Sequence, residues 1–247
     1  DCVAATLGPG LIGSLLVGVS AAQALAWSLG KPLIGIDHVQ AHLHAAWLRH
    51  EDADGATPDS GLRTRDSRPL LGLVVSGGHT SLYLVASSTE LTVLGRTIDD
   101  AVGEAYDKAA VILGLGYPGG PAIDRLAQQG DATRYDLPRS TLGPDSLDFS
   151  FSGLKTALLY AVRGTPVGRG AAARFERSEA DLTEANRRDL AASFQAAAVD
   201  AVMIKIDRAL TRHPSVRGVV VGGGVSANSL LRQRAAEFGR SRGVATF

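Results

Sequence analysis

Cysteine is all but missing from this chain. Cys2 is the single one among 247 residues, so no internal disulfide can form, and the composition fits a reducing cytosol. An excess of charge of either sign is missing too, because 25 Lys and Arg balance 25 Asp and Glu. That argues against a surface dominated by phosphate-backbone binding, although a local basic patch fits within a neutral total. No run reads as long enough for a membrane span, and no signal peptide is recognised. Methionine is nearly absent as well, with Met203 the single example and Asp1 the first residue. The chain opens inside an apolar, Gly-rich pattern and stops at Val244-Ala245-Thr246-Phe247, where a strand is starting after a helix. The expectation is an internal piece of a longer protein, with functional residues missing at both ends.

What is present is an ordinary globular composition, 45% hydrophobic and 20% charged, long enough for a sizeable core and two lobes. It is organised around residues 70–85, where two apolar, β-prone runs flank a tight Ser76-Gly77-Gly78-His79-Thr80 turn. Val74, Val75, Leu82, Tyr83, Leu84 and Val85 belong in strands, and the Gly pair permits positive φ and close backbone approach. A plain hairpin tip needs only turn formers. This one adds a serine, a histidine and a threonine, so backbone N–H groups and side-chain donors share a small space that can clamp a phosphate.

The rest of the chain alternates strands with helices, which predicts an α/β protein. Gly8-Pro9-Gly10 reads as a turn, 11–29 as a helix, 33–36 as a short buried strand and 38–50 as the next helix. The polar stretch 51–69 reads as a linker or exposed loop, which divides the chain into 1–68 and 69–247. A third strand is expected over 91–96, then helices over 103–113 and 122–129, the second with Pro121 at its first position. Ser152 reads as the N-cap of a helix running to about 162, and 163–181 as a mobile insertion. A long helix over 187–212, a buried strand over 216–221, a Gly-rich turn and a helix over 226–239 complete the pattern.

Several groups can do chemistry. His38 and His42 stand four apart on a helix, so both imidazoles leave one face, a spacing that suits a divalent metal as well as a plain pair of surface histidines. His44 points elsewhere. A zinc protease would carry glutamate directly after the first histidine, and Val39 stands there instead, so the group that would activate water is lacking. Asp100, Glu104 and Asp107 are expected along one helical face, where their repulsion calls for ligand hydroxyls, a metal or a cationic neighbour. The macrodipole accounts for acids at a helix start but not for Asp107, which lies further in. Tyr117-Pro118-Gly119-Gly120-Pro121 can be a rigid loop. The run from Val219 through Gly222-Gly223-Gly224 to Asn228 is stronger: strand, glycines and helix start together offer N–H groups to an anion, and Asn228 can bond ribose or base. The Gly-x-Gly-x-x-Gly spacing of dinucleotide folds is absent.

Two Gly-rich strand tips, at 76–80 and 222–228, resemble the nucleotide cleft of the actin-like ATPase and sugar-kinase superfamily. Adding the His38/His42 pair, the 99–108 segment, Pro118-Gly119-Gly120-Pro121 and the 148–156 segment, in this order, the chain resembles the bacterial tRNA threonylcarbamoyladenosine transferase family, once described as sialoglycoprotein endopeptidases. The resemblance covers all but 51–69 and 163–181. It implies a two-lobed, ribonuclease H-like fold with a central cleft, incomplete at both ends. It implies that His38 and His42 bind a metal, iron or alternatively zinc, and that Val74, Val75, Ser76, Gly77, Gly78, Asp107, Gly120 and Asn228 bind an adenylate. His79 is a candidate for handling the proton. The implied activity is transfer of threonylcarbamoyl from its adenylate to the exocyclic amine of the adenosine beside the tRNA anticodon, releasing AMP. The implied partners are tRNA, a shortened paralogue docking on the helices at 11–29 and 38–50, and a small ATPase, all in the cytoplasm and with no membrane. A third ligand, an aspartate, is expected beyond Phe247, so the piece itself is expected to bind metal weakly and to be inactive. A metalloendopeptidase and a non-catalytic scaffold of the same fold are the alternatives; Val39 speaks against the first and the retained motifs against the second.

Overall fold

The computed structural model describes residues 1–44, 69–87, 89–168 and 174–246, and divides the chain into two compact units, Asp1–Ser60 and Gly61–Phe247. The expected linker at 51–69, apart from Pro69, lies outside the described residues, as does the 45–50 end of the second expected helix.

In the first unit β1 (Val3–Gly8) pairs in parallel with β2 (Leu33–Asp37), Val3 opposite Leu33, with α1 (Ile12–Leu29) as the crossover and α2 (His38–His44) following β2 at once. Parallel neighbours require such a crossover. The sequence pattern did not mark β1, whose alanines blur its alternation. Gly30 ends α1 in the left-handed region at φ 60°, where its N–H reaches the carbonyls of Ala26 and Trp27. Two expectations are corrected here. β2 is no buried strand, since Ile34 and Ile36 are 46% and 36% exposed; a two-stranded sheet covered by α1 leaves much of its surface open. And α1 is long and apolar enough to cross a membrane by length and composition, although its serines and glycines disguise the run, because it holds no charged residue. Of the residues of α1, Ala26 alone is buried; Val39 and Leu43 of α2 are the other buried side chains among the described residues of the unit.

The second unit is built on a five-stranded sheet in the order β5-β4-β3-β6-β7. The hairpin stands where the sequence places it: β3 (Leu70–Val75) and β4 (Thr80–Val85) are antiparallel, with Val75 opposite Thr80, and β5 (Leu91–Arg96) continues the meander. β6 (Gly218–Gly222) and β7 (Ala245–Thr246) run parallel to β3. All six residues of β3 are buried, as a central strand covered on both faces demands.

Among the described residues this unit has five α-helices: α3 (Val102–Ile112), α4 (Gly119–Ala127), α5 (Ser152–Arg163), α6 (Glu184–Arg212) and α7 (Ser229–Arg242); α6 meets β3 and α7 meets β7, while α3, α4 and α5 pack on one another and on α6. The core gathers Tyr106, Phe149, Phe151 and Phe194 with Leu71, Leu73, Leu82 and the alanines of α6. Those alanines keep α6 thin where α4 crosses it. Helix starts differ from expectation in four places, one of them α6, which begins at Glu184 rather than at 187. Pro118, not Pro121, precedes α4. Phe151 precedes α5, and the Ser152 hydroxyl turns instead to Asp99, at 2.6 Å. The Gly-rich turn after β6 first forms a short 3-10 turn (Gly224–Ala227), and only then does Asn228 cap α7. In 163–181 the described residues are tied down: Val167 bridges Arg174, Arg163 pairs with Glu179 at 2.8 Å, and Ser178 and Asp181 cap each other around Glu179–Asp181. Residues 169–173 lie outside the described set.

Candidate ligand cleft

The hairpin tip fixes everything around it. Ser76 N–H donates to the His79 carbonyl at 2.8 Å, and His79 N–H returns to Ser76 Oγ at 3.1 Å, closing the turn. The tip then serves as the cap that α3 lacks in its own sequence. Thr80 Oγ1 accepts from Val102 N–H at 2.8 Å and the Ser76 carbonyl from Gly103 N–H at 3.2 Å, satisfying two donors that a helix start leaves open. A Cβ on Gly103 would lie 2.6 Å from that carbonyl, so glycine is what lets helix and tip touch.

Beside this junction lies a cleft of about 480 Å³, wholly within the second unit. Gly77 and Gly103 form one edge, Tyr106 and Asp107 of α3 the wall, Tyr117, Pro118, Gly120, Pro121 and Asp124 the facing side, and Gly224, Val225, Ala227 and Asn228 the end. Asp107 Oδ1 accepts the N–H of Gly119 at 2.8 Å and so ties α3 to the first residue of α4. Asp124, one turn into α4, accepts from Gln195 Nε2 at 3.0 Å, Asn228 Nδ2 at 3.3 Å and Ser229 Oγ at 2.6 Å. Burial, with the Asp124 charge in second place, pushes the Tyr106 hydroxyl far above its usual range, and its Oη has no hydrogen-bond partner among the described residues. The ring of Tyr117 stands 87% exposed at the mouth.

The cleft therefore brings together four of the sequence-derived candidates: Gly77, Asp107, Gly120 and Asn228. Val74 and Val75 have fully buried side chains in β3, and Ser76, Gly78 and His79 belong to the tip without lining the cleft. Of the three consecutive glycines at 222–224, Gly224 lines it. Gly223, at φ 97°, packs against the carbonyl of Val75 instead. Asp124 carried no local sequence signal, and Tyr106 and Tyr117 stand in the marked runs 99–108 and 117–121 without one of their own; such side chains become wall residues only when α3, α4 and α7 converge.

The expected row of carboxylates on one helical face is replaced by a network. Asp100 precedes α3 and holds Lys108 at 2.7 Å and Lys155 at 2.8 Å, while Glu104 reaches Lys108 at 2.9 Å. The cationic neighbour is thus the one that relieves the repulsion. Desolvation would raise the Asp100 carboxyl, but Lys108 and Lys155 outweigh it and hold it below the usual range. Asp99 behaves alike: burial raises it, yet the hydroxyls of Ser150 and Ser152 and the N–H groups of Phe151 and Ser152 bring it down.

Chemically, the cleft offers two carboxylates, an exposed ring and backbone at its glycine edges, with no Lys, Arg or His among the described residues that line it. That set suits the hydroxyls and flat face of a nucleoside better than a bare phosphate.

In the first unit, α2 holds His38 and His42 with ring centroids 4.7 Å apart and rings at 79°. Asp37 Oδ1 accepts the N–H of Gln40 at 2.8 Å and steadies the helix start. The two imidazoles are close enough to share one ion, but no group of three or more His, Cys, Asp or Glu that could hold a metal occurs among the described residues. They make half of a tetrahedral donor set.

Residues 1–247 match the family model described as tRNA N6-adenosine threonylcarbamoyltransferase. The chain is 51% identical over 230 residues to the protein of that name from Bordetella pertussis, covering 93% of this chain and 60% of that protein. It is 43% identical to the one from Thermotoga neapolitana, covering 100% of this chain and 66% of the relative. The chain thus spans about 60–66% of the length of these curated relatives. A crystal structure of T. kodakarensis HypF superposes with a TM-score of 0.62 at 15% identity, covering 100% of this chain and 37% of that one, a likeness of fold.

Proposed function

The chain belongs to the tRNA N6-adenosine threonylcarbamoyltransferase family, and from that premise we propose that its second unit binds an adenylate. The whole protein, on this reading, carries threonylcarbamoyl from that adenylate to the exocyclic amine of the adenosine beside the anticodon of tRNA. The amine attacks the carbamoyl carbon, a C–N bond forms, the C–O bond to phosphate breaks, and AMP leaves with that electron pair while the amine gives up a proton.

The observation that carries the reading is the convergence of Gly77, Asp107, Gly120 and Asn228 on one cleft from four separated stretches of chain. Asp107 and Asp124 are placed to accept from ribose hydroxyls, and the exposed Tyr117 ring to stack on the adenine. The glycines of the tip leave room for backbone N–H groups to meet the phosphate. Such a clamp fixes the acyl carbon for attack, which is where orientation contributes most. His79, at the tip, is the proposed proton handler.

His38 and His42 would hold a divalent ion, iron or alternatively zinc, with the remaining ligands supplied from outside the described residues. Bound there, it would supply a Lewis acid for threonylcarbamoyl or phosphate oxygens. Val39, buried between the two histidines in sequence, offers no general base for peptide hydrolysis. The fold is read as the two-lobed, ribonuclease H-like fold of the actin-like ATPases; the antiparallel meander continued by parallel β6 and β7 supports it. The partners proposed are tRNA, a shortened paralogue and a small ATPase, in the cytoplasm. Exposed Leu11, Ile12, Leu16, Val17 and Trp27 along α1 support a protein surface there.

Titration calorimetry of this chain with AMP and with adenosine tests the nucleotide reading. Saturable one-to-one binding is expected, weakened about tenfold or more in Asp107→Ala. Absence of binding, or an unchanged affinity in the variant, would overturn it. For the whole protein, the adenylate and unmodified tRNA should together yield the modified nucleoside.

A further inference from the structure

We infer that Gln195, a residue of α6 that does not line the cleft, is a positioning residue for the ligand, setting the Asp124 carboxylate and the Asn228 amide against each other. The inference rests on the adenylate reading of the cleft and goes beyond it.

Gln195 is 3% exposed, in the middle of an Ala-rich buried stretch of α6. Its amide is used at both ends. Nε2 donates to Asp124 Oδ1 at 3.0 Å, and Oε1 accepts from Asn228 Nδ2 at 2.9 Å. The orientation is forced, because an ionised carboxylate can only accept, so the nitrogen must face Asp124. Asn228 is forced in turn: its Oδ1 takes the N–H of Leu231 at 3.0 Å as the cap of α7, leaving Nδ2 for Gln195 and, at 3.3 Å, Asp124. The result is a closed triangle between α4, α6 and the start of α7.

The triangle has a consequence for the cleft. Asp124 Oδ1 receives three donors, from Gln195, Asn228 and Ser229 Oγ, whereas Oδ2 receives the Ser229 N–H at 3.2 Å. The spare accepting capacity thus sits on Oδ2, on a residue that lines the cleft, and the amide of Gln195, acting with Ser229 and Asn228, sets the rotation that puts it there. Removing that amide takes one of four donors from the carboxylate, which Ser229 still holds from one side, and leaves Asn228 Nδ2 short of its better partner.

The test is AMP binding by calorimetry, reported per folded chain, alongside a thermal melt. Gln195→Met keeps the volume and removes both hydrogen bonds. AMP affinity is expected to fall about tenfold, and in an Asp124→Ala background the same change should cost less than about twofold, since a residue acting through another has little left to act on. If Gln195→Met does not fold, Gln195→Glu takes its place: it still accepts from Asn228 but sets a second carboxylate against Asp124, and its loss of affinity should be reversed by adding Asp124→Asn. A melt that shifts while affinity stays at the wild-type value makes Gln195 merely structural and overturns the inference, as does an equal loss in both backgrounds. Wild-type chain that binds no AMP overturns the adenylate reading itself, and this inference with it.

Discussion

Gly223 shows how much one atom decides at this site. Its φ of 97° disfavours any side chain, and an added Cβ would run into the carbonyl of Val75 at the end of the central strand. Gly223→Ala is therefore expected to lower stability by about 2 kcal/mol or more in urea denaturation. Tyr117 is the opposite case. With its ring almost wholly in solvent, Tyr117→Ala should change stability by less than about 0.5 kcal/mol, yet weaken AMP binding by about 1–3 kcal/mol if the ring stacks on the base. A calorimetric titration beside a melt separates the two effects. Legibility at this scale followed local context. Asp107 and Gly120 sit in runs of unusual residues and could be picked out. Asp124, beside Arg125, and Gln195, amid alanines, stand in no unusual run, and what makes them matter is a hydrogen bond across 71 positions of sequence.

Helices and strands were easier to read than their ends. The strands over 70–75, 80–85 and 91–96 fall where apolar, β-branched runs placed them, because those runs are bounded by turn formers. The cap of α5 was misread because it comes from elsewhere, Asp99 holding the Phe151 and Ser152 N–H groups; α3, read to within one residue, likewise borrows its cap, from Thr80 of β4. α6 is capped by its own Thr183, which accepts from Asn186 N–H at 3.2 Å, as α7 is by Asn228. Thr183→Ala should cost about 0.5–2 kcal/mol of stability in denaturant. The same helix carries a titration. Lys205 is buried, with Nζ bonded to the carbonyls of Thr141 and Ser146 at 2.6 and 2.7 Å. Burial first, then the neighbouring Arg208, draw its pKa down from 10.5 to about 8. The unfolded chain holds this proton more firmly, so between about pH 8 and 10.5 Lys205 contributes stability that rises with pH, and below that window the contribution is absent. Melts from pH 7 to about 10.5 should show this rise in wild type, and the difference from Lys205→Met should change across the window; a constant difference would refute it.

On the scale of the molecule, the α/β class, the hairpin and the family were all legible, because six modest motifs in a fixed order are far more specific than any of them singly. Two features were not. β1 is hidden by alanines, and the membrane-like hydropathy of α1 by its scattered serines and glycines. The metal belongs to this scale too, since a complete donor set must be gathered from distant parts of a protein. With two imidazoles in α2 and no group of three ligands among the described residues, this chain should keep well under one equivalent of iron or zinc through dialysis. Near-stoichiometric metal by mass spectrometry would contradict that. The triangle of Asp124, Gln195 and Asn228 has one more consequence, for synthesis. Its corners are translated far apart, so a nascent chain whose Asn228 is still inside the ribosome already displays the entire glycine hairpin and yet lacks the end of the cleft. Any nucleotide-dependent protection from protease during translation should begin only after that last corner has emerged.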